Sequence, residues 1–348
     1  MALVLILAAA LWGLGHWMKV PVQARQIMVG LLFLAVLSLQ IALPPDHPLR
    51  VATGGSAGEW LVLAGLVGLI WLYSFGLKRL RGRVRPENRP AQPSSEFQGA
   101  ELDRYARHIM LREIGGPGQK ALKRAKVLVI GAGGLGAPAL LYLAAAGVGT
   151  LGVIDDDAVE GSNLQRQIIH TDARIGMPKV FSAETAIRAL NPWAEVRPYH
   201  RRLDEAIARD LFADYDLILD GSDNFDTRYL VNRVACDLGI PLISGALSQW
   251  EGQLSLFDPA HGTPCYQCIF PQRPAPHLAP SCAEAGVLGP LPGVIGAMMA
   301  AEAVKQITGA GEGLGNRLLI WDALFSEARM IKLHARPDCP VCAGRRGA

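Results

Sequence analysis

The chain has little net charge and only six cysteines. Its 348 residues include 34 Lys and Arg against 31 Asp and Glu, which leaves a formal charge of +3 at pH 7. Basic residues between positions 78 and 85 account for part of this small excess, so the composition gives no support for nucleic-acid binding. No internal repeat is visible in the sequence.

Charged residues are also missing from long stretches near the N-terminus. Asp, Glu, Lys and Arg are absent from three apolar runs, Ala2 to Met18, Ile27 to Leu43 and Trp60 to Leu77. Each run is near the lower end of the roughly 17 to 25 residues that span a bilayer, and tryptophans lie near several of their ends. We therefore predict a membrane domain of about three transmembrane helices over residues 1–80.

Positive charges around these runs predict their orientation. Lys19 and Arg25 flank the first connection, Arg50 lies in the second, and five Lys and Arg residues follow the third run. This bias predicts an outside N-terminus and a multi-pass protein of the inner (cytoplasmic) membrane, with the remaining domain in the cytoplasm. A cleaved signal peptide is the alternative for the first run, but no basic segment precedes it and two more runs follow.

The rest of the chain is predicted to be a linker and one large domain. Residues 81–100 contain prolines, serines and charges without apolar periodicity, which is typical of a linker. Between residues 101 and 348, apolar strands alternate with helical segments. This alternation predicts an α/β fold with a Rossmann-like, doubly wound, mostly parallel sheet.

A glycine-rich loop follows an early strand of this domain. The apolar segment Val127 to Ile130 is followed by Gly131, Gly133, Gly134 and Gly136. A strand, a glycine turn and a helix together present backbone N–H groups to phosphates, so these glycines are candidate nucleotide-binding residues. The loop by itself fits NAD(P) or FAD as well as other nucleotides, and some loops of this kind bind nothing.

Polar residues that favour a triphosphate come next. Asp155 ends a second strand, where a carboxylate can hydrogen-bond a ribose. Asn163, Arg166 and Lys179 follow towards the same edge of the sheet. Cations can neutralise the charge that moves onto leaving pyrophosphate, whereas hydride transfer has no evident use for them. The alternative is that Arg166 and Lys179 are solvated surface charges.

Another acidic strand end is a candidate Mg²⁺ site. Leu217 to Asp220 is predicted to be a strand, and Asp223 follows it. Because Mg²⁺ prefers one or two carboxylates together with phosphate oxygens, Asp223 is the candidate metal contact. Alternatively, either aspartate caps the helix that begins near Phe225, and for Asp220 we favour the cap.

Four of the six cysteines have the spacing of a metal site. They occur as Cys265-x-x-Cys268 and Cys339-x-x-Cys342, which is typical of tetrahedral zinc with four protein ligands and a structural role. Disulfides are the alternative, which a reducing cytosol disfavours. Cys236, in a helix-like segment, is predicted to be a packed core thiol.

Further motifs lie in order between residues 102 and 342. Besides the glycine loop, they are Arg104 to Ile109, Ser162 to Gln167, Asp220 to Asn224, Pro264 to Cys268, Ser281 to Val287 and Pro337 to Cys342. Together they resemble the ubiquitin-activating-like (ThiF/MoeB/HesA) adenylyltransferase family, and most of all its MoeB-type molybdopterin-synthase adenylyltransferases. The predicted membrane domain lies outside this resemblance.

The resemblance implies a homodimeric enzyme that uses ATP and Mg²⁺. The C-terminal Gly-Gly tail of a ubiquitin-like sulfur-carrier protein would attack the α-phosphate, giving an acyl-adenylate and pyrophosphate for molybdenum-cofactor or thiamine-type sulfur transfer. By matching motif, Asp155 would hold the ribose, and Arg166 and Lys179 the phosphates. Asp223 would hold the Mg²⁺, and Arg107 of the partner subunit would reach into the site.

Cys282 has an open role. It lies in the Pro-rich stretch from Pro271 to Pro292, which is predicted to be a long loop. In some members of the family that this chain resembles, the matching cysteine accepts the activated tail as a thioester or takes part in sulfur transfer. Simple adenylation does not need this cysteine. We expect no rhodanese-like domain after Cys342, so that sulfur would come from a separate protein.

Two other classes of function stay open. A non-catalytic membrane scaffold could hold a ubiquitin-like protein or a nucleotide without turnover, but it would be free to lose the candidate catalytic residues. An NAD-dependent oxidoreductase would use the glycine loop. That function would not explain the cysteine pairs or the two cations Arg166 and Lys179.

Overall fold

The chain divides into two compact units, Met1–Pro93 and Ser94–Ala348. The computed structural model describes residues 2–18, 20, 22–54, 56, 58–63, 65, 68–69, 73, 97, 99–274 and 285–344. Over these residues the first unit is helical, and the second contains both helices and strands.

The first unit contains helices α1 (Ala2–Trp17), α2 (Val22–Ala42) and α3 (Pro48–Thr53), with further helical residues at 58–63. Helix α3 folds back against the end of α2. The buried amide of Gln40 donates to the carbonyl of Arg50 at 3.1 Å and to the hydroxyl of Thr53 at 2.8 Å. The Arg50 guanidinium donates in turn to the carbonyl of Leu43 at 2.8 Å, so polar groups at the end of α2 are paired within the unit.

One helix among the described residues, Ala24–Ala42, is long and apolar enough to cross a bilayer. The prediction of about three such helices is not confirmed. Helix α1 has 16 residues, and a helix of that length is about 24 Å long, short of a hydrocarbon core of about 30 Å. Most of the third run, including residues 70–72 and 74–77, lies outside the described residues.

The second unit is built on one eight-stranded sheet with the order β3-β2-β1-β4-β5-β6-β7-β8. The strands are β1 (Lys126–Ile130), β2 (Thr150–Asp155), β3 (Glu195–His200), β4 (Leu217–Asp220), β5 (Leu242–Leu247), β6 (Glu251–Phe257), β7 (Arg317–Asp322) and β8 (Glu327–Lys332). Strands β3, β2, β1, β4 and β5 are parallel, as predicted for a doubly wound sheet.

The remaining pairs are antiparallel, so the sheet is mixed rather than mostly parallel throughout. For the pairs β5–β6 and β7–β8 the local reason is loop length. Residues 248–250 connect β5 to β6, and residues 323–326 connect β7 to β8. Such short loops can join only antiparallel neighbours, because parallel strands need a crossover of a dozen or more residues.

Helices cover both faces of the sheet. They are α4 (Gly99–Ile109), α5 (Gly115–Arg124), α6 (Gly136–Ala146), α7 (Lys179–Leu190), α8 (Glu205–Phe212), α9 (Phe225–Leu238), α10 (Tyr266–Ile269) and α11 (Pro290–Thr308). Side chains alternate along β1, so that Val127 and Val129 belong to the core on the face that also contains residues of α6, α7 and α11. Leu128 and Ile130 point to the other face and pack with α8 and α9.

The strand order reverses between β1 and β4, which places a crevice outside the carboxyl ends of these two strands. Gly131 and Gly221 follow the two strands and lie against each other. Gly131 has a φ of +87°, and a Cβ on it would lie 3.2 Å from the carbonyl oxygen of Gly221. Only glycine suits this position, and the close approach fixes where the crevice begins.

Candidate nucleotide and metal sites

The predicted strand, glycine turn and helix are present at the crevice. Strand β1 ends at Ile130, and α6 begins at Gly136. A Cβ on Gly136 would overlap the carbonyl oxygen of Gly131, so the first turn of α6 packs directly on the loop. A Cβ on Gly134 would lie 3.0 Å from Pro292 of α11. The loop is therefore held tightly from two sides, with the N-terminus of α6 at the crevice.

Asp155 holds this loop. Its Oδ2 accepts the backbone N–H of Ala132 at 2.7 Å, and its Oδ1 accepts the backbone N–H of Asp157 at 2.8 Å. Burial raises the pKa of the Asp155 carboxyl, while the nearby Lys179 ammonium and the two N–H donors act in the opposite direction. The end of β2 is thereby tied to the loop after β1. A carboxylate has room for more than two donors, so these bonds leave the predicted ribose contact open.

Lys179 is the first residue of α7 and is 5% exposed. Its Nζ donates to Oδ2 of Asp157 at 2.6 Å, and its own N–H donates to the carbonyl of Asp157. The interpretation of Lys179 as a solvated surface charge is therefore wrong. A cation at a helix N-terminus is unfavourable, because the helix dipole is positive at that end. Helix stability therefore does not explain why a lysine occupies this position.

Arg166 also lies at the glycine loop. Its Nη2 donates to Oδ1 of Asn163 at 2.7 Å, and a Cβ built on Gly134 would lie 3.7 Å from its Cγ. The Asn163 amide donates in turn to Glu160 at 3.2 Å. Arg166 is half-buried, so Asn163 orients a guanidinium that packs beside the loop.

The loop after β4 corrects one prediction. Asn224, and not Asp220, caps α9, because its Oδ1 accepts the N–H of Thr227 at 2.9 Å. Asp220 is buried and accepts from the N–H and hydroxyl of Ser222 at 2.9 and 2.6 Å. Its other oxygen lies 3.6 Å from the buried guanidinium of Arg228. Asp220 therefore holds the turn internally instead of starting the helix.

Asp223 lies at the open side of the same turn. It is exposed and accepts no hydrogen bond from the part of the chain that the structure describes. Its carboxylate is thus available at the carboxyl end of β4, where a metal contact was predicted. The assignment to Mg²⁺ stays a prediction.

Two predicted residues are not brought to the crevice by contacts within the described chain. Arg107 is exposed on α4 and makes no hydrogen bond to the described residues of the site. Cys282 lies outside the described residues. The roles predicted for both stay predictions.

Sequence reasoning missed two residues beside the loop. Gln167 is 5% exposed, its Nε2 lies 3.7 Å from a Cβ built on Gly133, and its Oε1 has no partner among the described residues. His170 is equally buried and contacts the carbonyl of Ala132. Gln167 belongs to a motif that the sequence already displayed. His170 is a single histidine without a spacing pattern, so the sequence carried no signal for it.

The four paired cysteines converge in the fold, although 74 positions separate Cys265 from Cys339. The Sγ atoms of Cys265 and Cys268 are 3.9 Å apart, those of Cys265 and Cys339 are 3.6 Å apart, and those of Cys268 and Cys342 are 3.4 Å apart. Tetrahedral zinc with Zn–S bonds of about 2.3 Å requires Sγ–Sγ separations of about 3.8 Å. None of these four thiols forms a disulfide, so the arrangement fits a metal and not the disulfide alternative.

The surroundings of these thiols differ. Burial raises the pKa of Cys265 and of Cys268. At Cys339 burial also disfavours the thiolate, but the N–H groups of Cys342 and Val341 and the neighbouring thiols outweigh it and lower the pKa to about 7. Cys236 packs against the four as a buried thiol, as predicted, with its Sγ 3.7 Å from the carbonyl of Val341.

Comparison with known proteins decides the family. The model of the ThiF family matches residues 105–341, which is more than half of the chain. The chain belongs to the ThiF family. The resemblance inferred from the motifs is thereby confirmed for the second unit.

Relatives of this ThiF-family chain cover most of its second unit. It is 50% identical over 246 residues to the sulfur carrier protein adenylyltransferase of Thermus thermophilus, covering 70% of this chain and 91% of the relative. It is 49% identical over 246 residues to the SAMP-activating enzyme E1 of Haloferax volcanii, covering 71% and 90%. The fold also matches crystalline MccB of E. coli, with a TM-score of 0.62 and 22% identity over 73% of this chain and 76% of MccB. At this identity the last match shows the fold alone.

Proposed function

We propose that this protein transfers AMP from ATP to the C-terminal glycine of a ubiquitin-like sulfur-carrier protein and releases pyrophosphate. The observation that carries the proposal is the gathering of the glycine loop, Arg166 and the buried Lys179 at one edge of the sheet. Relatives that are half identical over this unit are named for sulfur-carrier adenylation or for activation of SAMP. The pathway served is molybdenum-cofactor or thiamine-type sulfur transfer.

The chemistry needs alignment and charge stabilisation more than proton transfer. A C-terminal carboxylate is already ionised at pH 7, so its attack on the α-phosphate requires no general base. Arg166, Lys179 and the loop N–H groups would bind the phosphates and stabilise the charge that moves onto pyrophosphate. Asp155 would hold the ribose while it also holds the loop. ATP use accords with the names of the relatives.

Asp223 would hold Mg²⁺, which prefers carboxylate and phosphate oxygens and supplies positive charge at the phosphates when bound. Arg107 of the partner subunit would complete the site in a homodimer. The exposure of Arg107 in a single chain is consistent with this role. Cys282 has no required part in adenylation.

We also propose that the four cysteines hold a structural zinc ion. Four protein thiolates leave no open coordination position, so the ion would stabilise the fold instead of activating a substrate. It would join the segment around Cys265 to the segment around Cys339, which are far apart in sequence.

The N-terminal unit is proposed to tether the enzyme to the inner membrane as a multi-pass anchor. Residues 1–80 would form the membrane domain, 81–100 a linker and 101–348 the cytoplasmic adenylating domain. The apolar helix α2 and the excess of Lys and Arg after residue 77 support this arrangement. ATP and reduced thiols are both available in the cytoplasm.

The test uses the full chain in detergent and measures ATP–pyrophosphate exchange with candidate sulfur carriers that end in Gly-Gly. Each carrier is compared with its own form lacking the two glycines. We expect exchange with one intact carrier and none with its truncated form. ATP binding without exchange for every carrier would contradict the proposal and favour the non-catalytic scaffold.

A further inference from the structure

His170 joins the glycine loop to α7 through both of its ring nitrogens. Its Nε2 lies 2.9 Å from the carbonyl oxygen of Ala132, and its Nδ1 lies 2.9 Å from Oγ of Ser182. A carbonyl oxygen can only accept a hydrogen bond, so Nε2 must carry the proton. The ring therefore donates to the loop.

Arg174 fixes the direction of the remaining bonds. Its Nη1 donates to Oγ of Ser182 at 3.2 Å and to the Ser182 carbonyl at 2.7 Å. The Ser182 hydroxyl is then free to donate its own proton to Nδ1 of His170. Burial lowers the pKa of His170, and so do the nearby cations Lys179 and Arg174, whereas the hydrogen bond to Ala132 acts in the opposite direction. The lowered pKa favours the neutral ring, and its two hydrogen bonds select the tautomer.

The contact with Ala132 sets the direction of the next N–H group. A trans peptide is planar, and its C=O and N–H point in opposite directions. The Ala132 carbonyl points at the buried His170, so the Gly133 N–H of the same peptide points away from it. The preceding peptide is fixed by Asp155, which accepts the Ala132 N–H. The Gly133 N–H has no acceptor in the described part of the chain.

We propose that His170 is a positioning residue which, by holding the Ala132 carbonyl, aims the Gly133 N–H at the phosphates of ATP. The inference rests on the proposed function insofar as it takes ATP to be the ligand of the loop. The same ring is anchored on Ser182, three residues after Lys179 in α7. His170 thereby holds the loop donor and the helix that carries Lys179 in a constant relation.

The experiment compares His170→Leu with His170→Gln in the full chain in detergent. Binding of ATP with Mg²⁺ is measured by calorimetry. Binding of adenosine, which has no phosphates, is measured by its displacement of bound ATP. We expect His170→Leu to bind ATP about tenfold more weakly, the scale of one lost oriented hydrogen bond, with adenosine binding unchanged. His170→Gln should recover most of the ATP affinity, because its amide N–H can reach the Ala132 carbonyl.

Two results would overturn the inference. One is an equal loss of affinity for ATP and for adenosine, because it would indicate general damage to the fold. The other is wild-type ATP affinity in His170→Leu. If His170→Leu does not fold, Ser182→Ala takes its place. This variant frees the other tautomer and should weaken ATP by about threefold while sparing adenosine. The two proposals can fail separately. If the variants show this pattern but the wild-type chain exchanges with no carrier, the proposed function is refuted and the positioning role of His170 stands.

Discussion

At the scale of single residues, buried charges orient the loops around the crevice. Asp220 at the end of β4 forms a buried pair with Arg228, and Arg228 also donates to the carbonyls of Ser222 and Gly245. A buried ion pair adds little net stability over an apolar pair of the same size, because both charges lose their hydration. The pair instead orients the turn after β4, because Arg228 donates to the carbonyl of Ser222, the residue before Asp223.

Loss of one phosphate or metal contact should slow the reaction without unfolding the protein. We expect Asp223→Ala and Arg166→Ala each to lower ATP–pyrophosphate exchange by about 10² to 10³, the scale of losing one aligned electrostatic group. The matched controls are Asp226→Ala and Arg188→Ala, which remove exposed ion pairs on α9 and α7. Exchange close to wild type in either site variant would show that the residue has no such role.

Removal of Arg228 should act on stability. Arg228→Met leaves the Asp220 carboxylate buried without its cation, so we expect a loss of about 3 to 5 kcal/mol in the free energy of unfolding. Arg209→Ala, which breaks an exposed pair with Asp237, should change it by less than about 1 kcal/mol. Urea unfolding followed by fluorescence measures both variants. Similar losses of unfolding free energy in the two variants would contradict the prediction that the buried charge is the more costly one to leave unpaired.

The low pKa of His170 predicts a pH dependence of stability. In the folded chain burial lowers this pKa below the ordinary value of 6.5, so below pH 6.5 the unfolded chain binds more protons than the folded one. The contribution of His170 is therefore complete above pH 6.5 and is lost as the pH falls through the folded pKa. Melting temperatures from pH 7.5 to 5 should fall more steeply for wild type than for His170→Gln. Parallel curves would contradict the prediction.

At the scale of elements, the cysteine cluster connects the C-terminal segment to the sheet domain. We expect the purified chain to contain about one zinc ion, measured by mass spectrometry. Cys268→Ser should lose it, since three thiolates hold zinc less tightly than four. The segment around residues 337–344 should then become sensitive to limited proteolysis. Cys236→Ser is the control that should keep zinc, and a zinc-free wild type would refute the assignment.

At the scale of the whole molecule, the proposed role of the N-terminal unit is to hold the enzyme at the membrane. We expect the full chain to remain with bacterial membranes after an alkaline carbonate wash, and a chain lacking residues 1–80 to be released. Protease should degrade the adenylating domain in inverted vesicles and spare it in spheroplasts. The opposite protection pattern would place the domain outside and contradict the predicted orientation.

Much of the fold was predictable where the signal is local. The predicted strand Leu217 to Asp220 is β4 without change, and the strand before Gly131 differs from β1 by one residue. Apolar runs bounded by glycine and aspartate carry this information in neighbouring positions. The antiparallel half of the sheet was not predicted, because strand pairing depends on which distant segments meet.

The sequence by itself determined the nucleotide loop, the family and the metal-type cysteine pairs, because each depends on residue identities at short fixed spacings. Only the tertiary structure decided that Lys179 is buried, that Asn224 rather than Asp220 caps α9, and that His170 supports the loop. His170 and Ala132 are 38 positions apart, and their contact forms only in the folded domain, where the loop after β1 meets the segment before α7. Burial and hydrogen-bond direction arise from that packing, and short-range sequence patterns do not carry them.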